Sequence, residues 1–174
     1  MNTIATYQLE AYNTSKDSDN KIHDDTVAKK FGFEGGLVPG VDVYAYLTHP
    51  AVKTWGQNWL VSGSCDCRLI KPVYDGAIAT VKATFVDAEQ SSMKIKVESA
   101  GQLCAEGAAQ IYRAAPEEPN LDQFSNAPLP KERPPASPKS LPVGALLGTY
   151  SMTIPEHFAA EYLHNVRETL PVYR

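Results

Sequence analysis

The stretch Asp19-Asn20-Lys21-Ile22-His23-Asp24-Asp25, then Ala28, Gly32-Phe33 and Gly35-Gly36-Leu37-Val38-Pro39-Gly40, organises the reading of this chain. It sets one imidazole in a polar, turn-prone loop between carboxylates and an amide. Histidine is the side chain whose ordinary titration lies nearest neutral pH, so His23 is a candidate acid–base group. Asp24 or Asp25 can cap a short helix through Phe31, with Val27 and Phe31 at helical spacing and Gly32 as its stop. The glycines and Pro39 then lead into Val41-Asp42-Val43-Tyr44-Ala45-Tyr46-Leu47, apolar on nearly every face, which predicts a helix buried on most sides. The free N–H groups at the start of such a helix suit a developing negative charge. Pro50 is expected at a break or at the first turn of a continuing helix, because a mid-helix proline costs about 3 kcal/mol.

Upstream, residues 6–12 alternate and carry two tyrosines, which predicts a first strand, followed by a polar loop over 13–20. Downstream of Gly56 the period changes. Residues 64–70 alternate, Lys71-Pro72-Val73-Tyr74-Asp75-Gly76 forms a turn, and residues 78–86 are rich in β-branched side chains. Met93, Ile95 and Val97 alternate within 92–99, and residues 103–114 complete a meander with Gly101 and Gly107 at turn or bulge positions. An antiparallel sheet curled round the one apolar helix buries both, so the expected class is α+β. Eight of the 13 prolines fall between Pro116 and Pro142 with no periodicity, so residues 115–154 are expected to be an extended arm or linker. Residues 155–169 predict an amphipathic helix with Phe158, Tyr162, Leu163 and Val166 on one side. The expected division is therefore a domain over 1–114, the arm over 115–154 and a C-terminal helix over 155–174.

Composition bounds the function. With 174 residues, 43% of them hydrophobic and 21% charged, the chain has the make-up of one soluble globular domain. A net charge of −4 argues against a nucleic-acid partner. No apolar run approaches the roughly 18 residues needed to span a bilayer, so no membrane partner is expected. The N-terminal residues lack a signal-peptide pattern, and three cysteines cannot all pair within one chain, so a reducing, cytoplasmic setting is expected. Cys65 and Cys67 share a strand face with Leu69 and read as core thiols. His157, Glu161 and His164 share one helix face and read as a solvated surface. The glycine run lacks the Lys-Ser/Thr ending of a phosphate loop. No metal or cofactor is expected.

The motif Asn20-x-Ile22-His23-x-Asp25, with Ala28, Gly32-Phe33, the glycine-rich helix entry and the later Lys71-Pro72-Val73-Tyr74-Asp75-Gly76, resembles the MaoC-like dehydratase branch of the hot-dog fold over roughly residues 6–114. The resemblance implies a curved antiparallel sheet wrapped around a central helix. It also implies hydration or dehydration of an acyl thioester carried by coenzyme A or a carrier protein. In that family an Asp five residues before the His shares its water; the position here is Ser18, flanked by Asp17 and Asp19. By resemblance His23 with Asp17 or Asp19 is catalytic, and Asn20, Gly40, Val41 and Asp42 contact substrate. The family's His-Gly at the start of the central helix is Pro39-Gly40 here, and proline has no N–H, so the oxyanion donor is expected from the Gly40 or Val41 amide. Residues 158–173 resemble the opening of a second repeat in two-repeat relatives, which implies self-association, as a homodimer or higher homo-oligomer, in its place. Two other readings stay open: a hot-dog thioesterase using Asp42, and a non-catalytic protein binding an acyl group or a partner chain.

Overall fold

The computed structural model describes residues 4–18, 21–123, 125–145 and 147–173. In chain order the elements are β1 (Tyr7–Glu10), α1 (Asp25–Lys30), α2 (Gly40–Trp55), α3 (Gln57–Ser62), β2 (Gly63–Cys65), β3 (Arg68–Leu69), β4 (Ile78–Phe85), β5 (Ser92–Ser99), β6 (Gln102–Ile111) and α4 (Phe158–Asn165). Short 3-10 turns occur at Lys21–His23, Leu121–Gln123 and Pro171–Tyr173. The sheet is antiparallel, ordered β1-β4-β5-β6-β2, with β3 also paired to β6.

Alternation along β4 and β5 turns Ala79, Val81 and Ala83 and then Met93, Ile95 and Val97 to the interior. Val81 pairs with Val97, Ala83 with Ile95, and Val97 in turn with Ala105 of β6. The small inward residues Ala79, Ala83, Ala105 and Ala109 leave depth on the sheet for Val43, Tyr46, Leu47, Ala51 and Val52 of α2. The sheet curls round that helix, as the apolar density of residues 41–47 required.

Two local expectations are corrected, and one helix is additional to them. Pro50 lies inside α2, which runs unbroken to Trp55, and is itself buried. The packing of Tyr46, Leu47, Ala51 and Val52 on both sides of it outweighs the lost backbone bond. Residues 57–62, for which sequence reading made no prediction, form α3 after a turn at Gly56 (φ +61°), with Trp59 and Ser62 buried at helical spacing. The single strand expected over 64–70 is two. It is interrupted at Asp66, whose N–H donates to the Ala108 carbonyl (3.0 Å) and whose Oδ1 accepts from the Ala108 N–H (3.0 Å). Gly107 permits this close approach, since a Cβ there would strike the Asp66 carbonyl. Cys65 and Cys67 are half-buried against the core, and burial pushes the Cys65 thiol up to about 11.

The chain divides into two units, Met1–Pro116 with Ala159–Arg174, and Glu117–Phe158. The helix expected over 155–169 is confined to Phe158–Asn165, which but for Phe158 belongs to the first unit, and the chain turns at Arg167 (φ +61°) just after the buried Val166. The segment is tied down beyond its helix. The Tyr7 hydroxyl donates to the Arg167 carbonyl (2.9 Å), and His49 Nδ1 meets Glu168 Oε2 (2.9 Å) with the Tyr7 ring stacked on the imidazole. The second unit is largely extended and exposed. Within it the Thr149 N–H donates to the Ala127 carbonyl (2.8 Å), and Ser137 and Ser140 bond each other (3.0 Å). Among the described residues no helix is long and apolar enough to cross a membrane.

Candidate active site

Asp24 caps α1: its Oδ1 accepts from the N–H groups of Thr26 (2.9 Å) and Val27 (3.0 Å). Gly32, at φ +86°, ends the chain's helical course after the C-cap Phe31. That capped helix fixes where the preceding turn, with His23, must lie. His23 is half-buried, and its Nδ1 is 2.7 Å from the Leu37 carbonyl. A carbonyl only accepts, so Nδ1 carries the proton, and in the neutral ring Nε2 keeps the lone pair of a base. The backbone behind His23 is held by Asn13, itself buried, whose Nδ2 donates to the His23 carbonyl (2.8 Å). Asn13 is fixed in turn through its N–H to Asp75 Oδ1 (2.8 Å) and its Oδ1 to the Ser15 N–H (3.0 Å).

The glycine entry needs its residue type at one position above all. Gly36 donates its N–H to Asp25 Oδ1 (2.5 Å), and a Cβ there would lie 2.5 Å from the His23 carbonyl and 2.8 Å from Asp25 Oδ1. At Gly35 the same atom would meet Asp25 Oδ1 at 3.4 Å, an ordinary contact. Gly36→Ala is therefore expected to lose about 1–3 kcal/mol of stability and to shift the His23 turn, whereas Gly35→Ala stays near wild type. Urea unfolding of the two variants side by side checks this, and equal stabilities would refute it.

At the start of α2, the N–H groups of Asp42 (3.0 Å) and Val43 (3.1 Å) bond the Pro39 carbonyl. The amides of Gly40 and Val41 have no acceptor within the helix and are the donors this terminus can offer. Gly40 also passes close to Leu69, which a Cβ there would meet at 2.5 Å, and the Val41 side chain is exposed. Asp42 is placed differently from the sequence expectation of a substrate contact. Its carboxyl is fully buried (0% exposed), taking the Thr14 hydroxyl on Oδ2 (2.7 Å) and the Tyr162 hydroxyl on Oδ1 (3.1 Å). Burial raises its pKa above the ordinary carboxylate value, partly offset by the Thr14 and Tyr162 hydrogen bonds and by the field of His23. Asp17 is exposed in the turn over residues 14–17, and Ser18 closes that turn with its N–H on the Ser15 carbonyl (3.1 Å). Asp19 and Asn20 lie outside the described residues.

The structure thus brings His23, the α2 start and buried Asp42 into one region of the first unit. Asn13, Thr14 and Tyr162 were missed by sequence reasoning. Tyr162 was visible only as a member of an apolar stripe, and the polar loop after β1 gave no reason to prefer Asn13 over its neighbours. A cavity of about 610 Å³ opens beside the glycine entry, lined by Asp25, Lys29, Gly36, Lys71, Tyr74 and Gln102 among others; His23 does not line it.

No family model matches the sequence, and no curated protein is similar to it. Solved structures do match. A MaoC-like dehydratase from Phytophthora capsici is 13% identical, with a TM-score of 0.55 over 67% of this chain and 44% of that one. The full-length peroxisomal multifunctional enzyme type 2 from Drosophila melanogaster is 14% identical, with a TM-score of 0.53 over 64% of this chain and 23% of that one. The chain thus spans less than half the length of either. What it shares with them is the architecture: this is an α+β protein of the hot-dog fold, its curved antiparallel sheet wrapped round α2.

Proposed function

We propose that the chain is a MaoC-like hydratase or dehydratase acting on an acyl thioester, with His23 as its acid–base group. The observation that carries this is the 2.7 Å contact of His23 Nδ1 with the Leu37 carbonyl, which leaves Nε2 as the basic nitrogen. In the hydration direction Nε2 takes a proton from water as the water oxygen bonds to C3 of a trans-2-enoyl thioester. The C2–C3 π electrons move toward the thioester carbonyl, and the enolate oxygen is held by the Gly40 or Val41 N–H. Collapse of the enolate takes a proton at C2, which the imidazolium returns, so the base is regenerated. Asp17 or Asp19 would assist at the water, and Asn20 would orient it. No cofactor or metal takes part in this scheme. A cytoplasmic setting fits the three free thiols.

The buried position of Asp42 speaks against the thioesterase reading, because a nucleophile or base must reach its substrate. Self-association is supported by the exposed apolar side chains of Val41, Tyr44, Leu69 and Ile70 near the start of α2. We expect a homodimer or larger homo-oligomer by sedimentation velocity; a monomer across the micromolar range would refute it. The function itself is tested by following loss of enoyl absorbance on trans-2-enoyl thioesters of coenzyme A and of a carrier protein, with a free-thiol assay in parallel. Absorbance loss without thiol supports the reading. Thiol release would return the thioesterase, and silence in both assays, with acyl binding retained, would make the chain a binding protein.

A further inference from the structure

The loop between β1 and the His23 turn is held from two sides. On one side Asn13 grips the His23 carbonyl (2.8 Å). On the other, adjacent Thr14 donates its hydroxyl to buried Asp42 (2.7 Å), and the other oxygen of that carboxyl accepts from Tyr162 of α4 (3.1 Å). Tyr12 joins the same loop to α2, through its N–H to the Tyr46 hydroxyl (3.3 Å), and to the C-terminal segment, through Arg167 lying 5.2 Å over its ring. A carboxyl with 0% exposure is costly to bury unless its oxygens are bonded. Here both are, by hydroxyls from two different parts of the chain. The acceptor-only ionised form is the one that uses both donors fully.

The connected path Tyr162–Asp42–Thr14–Asn13–His23 is the feature that the acid–base scheme does not use. We propose that Tyr162 and Asp42 are positioning residues for His23, so that residues 159–173 act as a built-in strut for the catalytic turn rather than as a passive tail. The inference rests on the reading of His23 as the base, but its geometry can be tested without turnover. Asp42 fixes Thr14; Thr14 fixes the neighbouring Asn13; Asn13 sets the height of the His23 backbone relative to the Leu37 carbonyl. Loosening the far end releases the near end, because consecutive residues 12, 13 and 14 each carry one of these contacts.

The test is ring 15N NMR of His23 in full-length protein, assigned by its loss in His23→Ala and recorded where the ring is neutral. Wild type should give one Nδ1–H tautomer. Tyr162→Phe, which removes only a hydroxyl, and Thr14→Val should each give mixed-tautomer shifts or exchange broadening at His23, with the amide spectrum of the sheet unchanged. Where enoyl thioester is turned over, the same variants should lower kcat several-fold with KM little moved. Wild-type His23 signals in folded Tyr162→Phe and Thr14→Val would overturn the proposal. The remote surface variant Glu98→Gln should leave the His23 signals as in wild type, and a change there equal to that in the test variants would also overturn it. If no thioester is turned over by wild type but the tautomer responds as described, the functional reading fails and the strut stands. Turnover with an unresponsive tautomer would leave the functional reading standing and remove the strut.

Discussion

Replacing His23 by alanine is expected to lower enoyl-thioester hydration by about 10²–10⁴-fold, the usual contribution of a placed acid–base group. The loss should appear in kcat, because in the proposed scheme the imidazole acts on the water and on C2 rather than on the bulk of the substrate. Stability should change far less. His23 is half-buried on a turn, and its backbone bond from Asn13 does not depend on the side chain. His23→Gln makes an informative companion, since an amide can donate to the Leu37 carbonyl but cannot take a proton near neutral pH. If the role is chemical, both variants are inactive and both fold. Activity retained in either variant, measured by absorbance loss in folded protein, would remove His23 from the mechanism.

The largest expected effect on stability comes from Glu168→Ala, a loss of about 3–5 kcal/mol, the range for breaking a buried pair from one side. Glu168 and His49 have side chains only 8% and 5% exposed. Besides His49 Nδ1 at 2.9 Å on Oε2, its Oε1 accepts the N–H groups of Thr169 and Leu170, both at 2.7 Å. Removing the carboxylate leaves an imidazole and two amides without this acceptor, and frees the turn that follows α4. Urea denaturation measures the loss, and a change below about 1 kcal/mol would count the pair as incidental.

The same carboxylate predicts a pH dependence. Burial raises the pKa of Glu168, but the hydrogen bond from His49 and those from the Leu170 and Thr169 amides outweigh it, leaving it below its ordinary 4.5. A depressed folded-state value means that its contribution is complete above pH 4.5 and is lost as pH falls from there through the folded value. Asp42 has the opposite sign: its pKa is raised, so its burial costs stability at higher pH and that cost lapses on protonation. The difference between wild type and Glu168→Gln, followed from neutral pH into acid, isolates the first effect. It should be largest near neutrality and shrink below pH 4.5; a gap independent of pH would contradict the assignment.

Much of this arrangement was legible from residue order. Aspartate before Thr26 and Val27, and glycine after Phe31, state α1 with its cap and stop, because capping depends on atoms within a few residues of each other. Period-two patterns in residues 78–85 and 92–99 state two strands and which of their faces is apolar, because successive side chains alternate across a strand. The imidazole in a polar loop ahead of a glycine-rich helix entry marked His23, and its resemblance to a known motif named the fold that the structure has.

Other features were settled only by contacts between distant residues. Local propensity argues for a break at Pro50, yet burial of Tyr46, Leu47, Ala51 and Val52 keeps α2 whole, since tertiary packing outweighs one missing bond. Alternation through residues 64–70 could not reveal that the Asp66 carboxylate takes the Ala108 N–H beside Gly107, 41 positions after it in sequence. The His23 tautomer depends on a carbonyl at Leu37, and the burial of Asp42 on hydroxyls from Thr14 and Tyr162. A sequence records which side chains can donate, accept or be buried. Which of them meet is decided by the closure of the sheet around α2 and the return of the chain's end against it, and neither leaves a periodic mark along the chain.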